Sequence, residues 1–337
     1  MALLSEIVNS LGGMAQKRQL VRRGAGDRDL THAVRIGDVV RVRNGWYSTM
    51  DERSPELRAV RVGGRLTGIS AIMARGGWVL GDHPLHVAVN ENAARLRTQH
   101  NRHLLLNVLT PGGVVLHWST REQAGRGTAV AVSLLDALER VVLDEDFETA
   151  VAVLDWALHT RQIDEIDLET LILRLPLERR GIRDWVDEEC ESLPESMSRT
   201  RLRLAGLRVE SQVPLGDFQR IDLVVEGEIG IEVDGEEHHL TRFDYDRGKD
   251  VEITLDHKHA IRPSANMVFH HWDHFALAVA TALADRGVIL KNSGVLLRDP
   301  MQSRGLTGFR RRPPRRTPEF SKRYRGGGGN SLAHGVT

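Results

Sequence analysis

Asp222, Glu232 and Asp234 interrupt the apolar run RIDLVVEGEIGIEVD, and their spacing determines what chemistry they can do. The run alternates as two strands joined at Glu226, Gly227 and Glu228. Pairing about Gly227 sets Val225 opposite Ile229, Leu223 opposite Ile231 and Ile221 opposite Val233, which predicts one wholly apolar face. The other face then carries the three acids, with Asp222 directly opposite Glu232 and their Cβ atoms about 4.5–5.5 Å apart. Like charges at that separation repel. A hard divalent cation, Mg²⁺ or Mn²⁺, takes oxygen ligands and offsets the repulsion, so the spacing predicts a metal site. The plainer alternative is a solvated acidic face on an ordinary antiparallel hairpin.

Several elements must position these acids. Glu195 opens a helix in PESMSRTRLRLAGL, which feeds the strand VESQVPL and then the hairpin. Phe243 to Leu255 reads as a charged helix bearing Asp246, Arg247, Lys249 and Asp250. His259 to Arg262 reads as a short strand, Met267 to His270 as an extended piece, and His274 to Arg286 as an amphipathic helix. His238 is a candidate general base if it titrates near neutrality. Arg247 offers a planar fork for a phosphate and Lys249 a point charge, although both also fit solvated helix charges. A calcium loop starting at Asp244 fails, because Lys249 and Leu255 stand where glycine and glutamate are needed. His257, His259, His270, His271 and His274 lack the familiar zinc-binding spacing.

The series R-x-D-L, E-V-D-G-x-x-H, D-R-x-x-D and R-P-S resembles the very-short-patch-repair-endonuclease-like branch of the PD-(D/E)XK nuclease superfamily, over about residues 190–287. The resemblance implies a restriction-endonuclease-like αβββαβ core that cleaves phosphodiester bonds with Mg²⁺ or Mn²⁺. It carries the catalytic roles to Glu195, Asp222, Glu232 and Asp234, with His238, Asp246, Arg247 and Asp250 at matching positions downstream. Asp222, Glu232 and Asp234 become the metal ligands. One departure matters: Asp234 stands where the superfamily's name places lysine, which leaves His238, Arg247 or Lys249 to stabilise charge.

At the other end, Leu4, Ile7, Val8 and Leu11 have helical spacing, Met14 to Arg23 reads as a second helix and Asp27 to Ile36 as a third. The third turns Leu30, Ala33 and Val34 inward and leaves Arg28, Thr31, His32 and Arg35 outside. Val39 to Arg43, the turn Asn44-Gly45 and Trp46 to Ser48 form a hairpin. Three helices and a hairpin predict a winged helix-turn-helix. DLTHAVRIGDVVRVRNGWYS resembles the winged N-terminal domain of AbiEi-type antitoxins. That likeness implies DNA binding, with Arg28, Thr31, His32 and Arg35 at the major groove and Arg41 or Arg43 on phosphates. Small winged helices also serve as protein-docking modules.

The middle of the chain is less specific. SPELRAVR reads as a helix entered at Ser54, and PLHVAV, LLLNVL and VVLHWS as strands. Val130 to Leu143, Phe147 to His159 and Leu168 to Leu175 have helical length. His83, His86, His100, His103 and His117 are scattered and are assigned no role.

The 337 residues carry 46 basic and 46 acidic side chains, so the formal net charge is zero, but the charges are segregated. Residues 1–66 hold 12 Lys and Arg against 7 acids, residues 136–195 hold 6 against 18, and residues 298–337 hold 10 against 2. Basic ends suit nucleic acid, while the acidic middle suits a homodimer or protein partner. Cys190 is the only cysteine, which excludes an intrachain disulfide or a cysteine-rich zinc site. The start lacks a signal-peptide pattern and no apolar run is long enough to span a membrane, so a cytoplasmic protein is expected.

The expected fold class is α/β (α+β), divided into a winged-helix domain at 1–53, a mixed middle region at 54–190, the nuclease-like core at 191–290 and a disordered basic tail at 298–337. The expected function is a metal-dependent DNA endonuclease in defence, toxin-antitoxin action or repair. The alternative is an antitoxin-like DNA-binding regulator with an inactive nuclease-like domain.

Overall fold

The computed structural model describes residues 3–119, 126–216, 219–234 and 243–288, with side chains in the last segment from 248 onward. The chain is a mixed α+β protein with small sheets and many helices. Among the described residues no helix is long and apolar enough to cross a membrane.

The N-terminal part contains α1 (Leu4–Asn9), β1 (Met14–Gln16), α2 (Lys17–Val21), α3 (Asp27–Arg35), β2 (Val40–Arg43) and β3 (Trp46–Ser48). The sheet order is β1-β3-β2, antiparallel throughout. Met14–Gln16 is a strand, where the sequence predicted the start of a helix. Gly13, at φ +79°, ends the preceding turn, and Met14 pairs with Ser48 and Gln16 with Trp46. The helix begins only at Lys17, after Gln19 accepts from the Gln16 N–H at 2.8 Å. Val8, Ala15, Leu20, Leu30 and Ala33 close a small core beneath α3.

The middle part holds α4 (Pro55–Val62), β4 (Arg65–Leu66), α5 (Gly68–Met73), β5 (Leu85–Asn90), β6 (Val114–Ser119), α6 (Leu134–Asp144), α7 (Phe147–His159) and α8 (Glu165–Arg174). A 3-10 helix follows at Leu177–Trp185. β4 and β5 are antiparallel, β5 and β6 parallel. Side-chain oxygens of Ser54, Ser133, Asp146 and Asp164 cap the first turns of α4, α6, α7 and α8. LLLNVL is not a strand. It makes a single antiparallel bridge, Leu105 with Arg97, and its Leu104, Leu105, Val108 and Leu109 are all exposed.

The C-terminal part runs α9 (Leu193–Leu204), β7 (Val209–Leu215), β8 (Gln219–Val225), β9 (Ile229–Ile231), α10 (Phe243–Leu255), β10 (His259–Ile261), α11 (Ala265–His270) and α12 (Trp272–Asp285). The sheet order is β10-β9-β8-β7, with β10 parallel to β9 and the other pairs antiparallel. The hairpin register is the predicted one, Val225 opposite Ile229 and Leu223 opposite Ile231. Glu226 and Gly227 take the turn at φ +52° and +76°.

Two predictions for this part change. Met267 to His270 belongs to a helix, since the Ser264 hydroxyl accepts from the Met267 N–H at 3.2 Å and starts a turn. The second sheet face is also not simply acidic. Leu223, Val225, Ile229 and Ile231 pack with Phe275 and Val279, while Ile221 and Val224 pack beneath α10 with Ile253. Ile221 leaves the first face where the β7 partner strand is irregular, at Gln212 with φ +47°.

Candidate active site

Glu232 is only 5% exposed, so the acids do not form a solvated face. Asp222 sits near the middle of β8, and Glu232 and Asp234 follow β9. The Val233 N–H donates to Asp222 Oδ2 at 2.9 Å, and the Asp222 N–H donates to Glu232 Oε1 at 3.3 Å. Glu232 is thus held by the Asp222 backbone, and Asp222 by the backbone of Val233, the residue after Glu232.

The neighbouring cation comes from α10. Lys249 Nζ contacts Glu232 Oε2 and lies 3.9 Å from Asp222 Oδ1, so one ammonium lies beside both acids. Lys249 is itself largely covered, with 15% of its side chain exposed. Burial, and then the charge of Asp222, push the Glu232 carboxyl up to about 7, with Lys249 pulling the other way. Burial also raises Asp222.

Glu195 lies in the first turn of α9, where Ser192 caps the helix. Its carboxylate accepts from the Ser192 hydroxyl at 2.7 Å, the Glu191 N–H at 3.0 Å and Gln212 Nε2 at 3.2 Å. The first two bonds belong to the start of the helix and the third comes from β7, yet burial first and the charge of Asp222 second raise the group to about 7. Glu195 is therefore electrostatically part of the site while its oxygens are engaged locally.

Asp234 faces a different partner. Its backbone continues the parallel pairing, donating from N–H to the Pro263 carbonyl at 3.0 Å, and its Oδ1 lies 3.0 Å from Arg262 Nη1. The same guanidinium reaches Asp250 Oδ1 at 2.7 Å. Asp222, Glu232 and Asp234 do not gather their ligand atoms within 4.8 Å of one another. Asp222 and Glu232 share the Lys249 ammonium, whereas Asp234 is turned to Arg262. His238 lies outside the described residues, as do the side chains of Asp246 and Arg247.

In the N-terminal part, Arg28, Thr31, His32 and Arg35 are all exposed on α3 and line one shallow concavity with Asp27. Arg35 Nη2 and His32 Nδ1 are 3.1 Å apart, and the Thr31 hydroxyl is occupied by the Asp27 carbonyl at 2.8 Å. Arg41 is exposed and donates to Asn44 Oδ1 at 2.9 Å. Arg43 is half-buried and packs toward the middle part, since a Cβ added at Gly63 would meet its Nη1 at 2.2 Å. Of the two arginines expected on phosphates, only Arg41 presents an exposed side chain.

Sequence reasoning missed the grouping of His86 and His117 with Asp144, whose ligand atoms lie within 4.8 Å. The available signal was the alternation of β5 and β6, which places both histidines on one face once the strands are paired. No protein-family model matches the chain, and no curated protein matches it.

Proposed function

We propose that this chain is a Mg²⁺- or Mn²⁺-dependent endonuclease that hydrolyses DNA phosphodiester bonds at Asp222, Glu232 and Lys249. The observation that carries this reading is the ammonium of Lys249 set against two buried acids on adjacent strands. The helix-strand-strand-strand-helix-strand order from α9 to β10 supports the restriction-endonuclease-like core. The helix order and three-stranded sheet of residues 4–48 support the winged helix-turn-helix, with the exposed face of α3 as the DNA reader.

Asp222 and Glu232 would hold the ion, which supplies Lewis-acid polarisation of the phosphate. Their separation is fixed by the two backbone hydrogen bonds, so little reorganisation accompanies loading. Lys249 offsets the carboxylate charge and places a cation where negative charge develops on the phosphate. Glu232 would hold the ion only in its deprotonated form, because only the carboxylate is a ligand. Asp234 pairs with Arg262, whose guanidinium also reaches Asp250.

The test is cleavage of supercoiled plasmid with Mg²⁺ or Mn²⁺, comparing the full chain with Asp222→Asn, Glu232→Gln and Lys249→Met. Each substitution is expected to lower the rate by about 100-fold or more, the cost of removing one preorganised charge-stabilising group. Equal cleavage by wild type and the two carboxylate variants would overturn the reading.

The engagement of Asp234 by Arg262 favours one second reading, a DNA-binding regulator whose nuclease-like part is inactive. In that case the chain shifts a promoter fragment in gels with unchanged affinity in all three variants and cleaves nothing.

A further inference from the structure

Away from the carboxylate site, the middle part places two histidines side by side on its sheet. In the parallel pairing of β5 and β6, His86 lies opposite Val115 and His117 opposite Ala88, so the two imidazoles are diagonal neighbours on one face. Their ring centroids are 5.0 Å apart, and His86 Nδ1 lies 3.3 Å from His117 Nε2. Asp144, the last residue of α6, brings Oδ2 to 3.4 Å from His117 Nδ1. That oxygen is buried and has no hydrogen-bond partner, while Oδ1 accepts from Arg140 Nη1 at 3.3 Å.

The surroundings hold this group in place. The His86 N–H donates to Ser70 Oγ at 2.9 Å, fixing β5 against α5. Gly68, at φ +51°, starts α5 beside the ring, and a Cβ there would stand 3.2 Å from His86 Nδ1 and 3.1 Å from Arg140 Cγ. Only glycine accepts both the backbone angle and that approach. Asp144 and Arg140 are the charged groups facing the pair, with His83 nearby and Glu145 4.0 Å from His83. Burial is the main cause that lowers both imidazoles to about 4.

We propose that His86, His117 and Asp144 bind one Zn²⁺ ion, through one nitrogen of each ring and one carboxylate oxygen. Two histidines and one carboxylate form an established donor set for zinc, with the remaining position open to water or an incoming group. The 3.3 Å between His86 Nδ1 and His117 Nε2 matches the separation of about 3.3 Å between two nitrogens on a tetrahedral zinc ion. It is longer than an ordinary hydrogen bond, while the 3.4 Å Asp144 contact is to the other nitrogen of His117, Nδ1, and is not a separation between two ligands of the ion. The carboxylate completes the set with all ligand atoms within 4.8 Å of one another. Bound there, the ion fastens the end of α6 to the β5–β6 sheet and shares nothing with the Asp222–Glu232 pair.

The experiment uses the full chain, stripped with a chelator and titrated with Zn²⁺ by calorimetry, with Co²⁺ as a spectroscopic substitute. Wild type is expected to bind one Zn²⁺ at this site and to give visible Co²⁺ absorption bands of four-coordinate type. His117→Gln and Asp144→Asn are expected to weaken Zn²⁺ binding by about 100-fold and abolish those bands, with unchanged circular dichroism. Asp222→Asn is expected to leave both signals intact, which separates this site from the carboxylate pair. Unchanged Zn²⁺ affinity in the Asp144→Asn variant would overturn the assignment. So would wild type showing no saturable binding, which leaves a hydrogen-bonded His–His–Asp chain.

Discussion

Lys249 reaches Glu232 and Asp222 from a helix, whereas the strand position two residues after Glu232 carries Asp234. The sequence offered His238, Arg247 or Lys249 for the strand lysine, with His238 and Arg247 placed in the site and Lys249 only as a point charge. Helical phase and the tilt of α10 over the sheet place Lys249 at the acids, and neither is written in local residue pattern. Glu195 is the other residue with a measurable signature. Its native carboxyl is raised from 4.5 to about 7, so between those values the native protein keeps a proton that the unfolded chain has released. Its contribution to stability is complete below pH 4.5 and is lost as pH rises through 7. Thermal unfolding of metal-free protein from pH 5 to 8 is expected to show wild type losing more stability than Glu195→Gln, whose neutral amide does not titrate. Parallel curves would show that Glu195 does not hold its proton.

At the scale of elements, the β8–β9 hairpin and α10 form the frame of the site. Gly230 sits opposite Val224, and a Cβ there would lie 2.7 Å from Ile253 Cγ2 and 3.4 Å from Ile221 Cγ2. Gly230 therefore sets how closely α10 approaches the sheet, and with it the reach of Lys249. Gly230→Ala is expected to destabilise the protein by about 1–3 kcal/mol through overpacking and to lower plasmid cleavage, both measured on one preparation. Loss of stability without loss of cleavage separates the helix packing from the placement of Lys249. The hairpin register was legible because alternation in Leu223, Val225, Ile229 and Ile231 leaves one pairing that buries them all. The helix at Ala265–His270 and the strand at Met14–Gln16 were not, since each is decided by a cap or a partner strand distant from the apolar pattern.

Across the whole molecule, α9 ties the middle part to the rest of the C-terminal part. Arg199 and Asp155 pair at 2.7 Å with 1% and 0% of their side chains exposed, and Ser196 also donates to Asp155. Arg201 pairs with Glu148 on α7 and donates to the Val268 carbonyl on α11. The expected boundary near residue 190 is therefore crossed by buried ion pairs. Asp155→Ala leaves the buried Arg199 only its longer pair with Asp187 at 3.7 Å and is expected to cost about 3–5 kcal/mol in chemical denaturation. Part of the acidic excess in residues 136–195 is also accounted for: Asp146 and Asp164 cap helices, while Asp155 and Glu148 are paired. At the N-terminal end, gel shifts of the full chain are expected to weaken by at least about 10-fold in Arg28→Ala with Arg35→Ala if these side chains read bases. Unchanged binding assigns DNA contact to another surface.

The sequence by itself determined the helix and strand order of the C-terminal part from Leu193 to Ile261 and the hairpin register. These follow from periodicity two, turn residues and the need to bury one continuous set of apolar side chains. It also marked the outer face of α3, whose Arg28, Thr31, His32 and Arg35 follow from periodicity 3.6. Only the tertiary structure decided that Lys249 completes the carboxylate pair, that Asp234 turns to Arg262, that Arg43 is covered, and that His86 and His117 meet Asp144. Each of those depends on how one element docks on another, which is set by side-chain volume and backbone approach at glycines such as Gly63, Gly68 and Gly230.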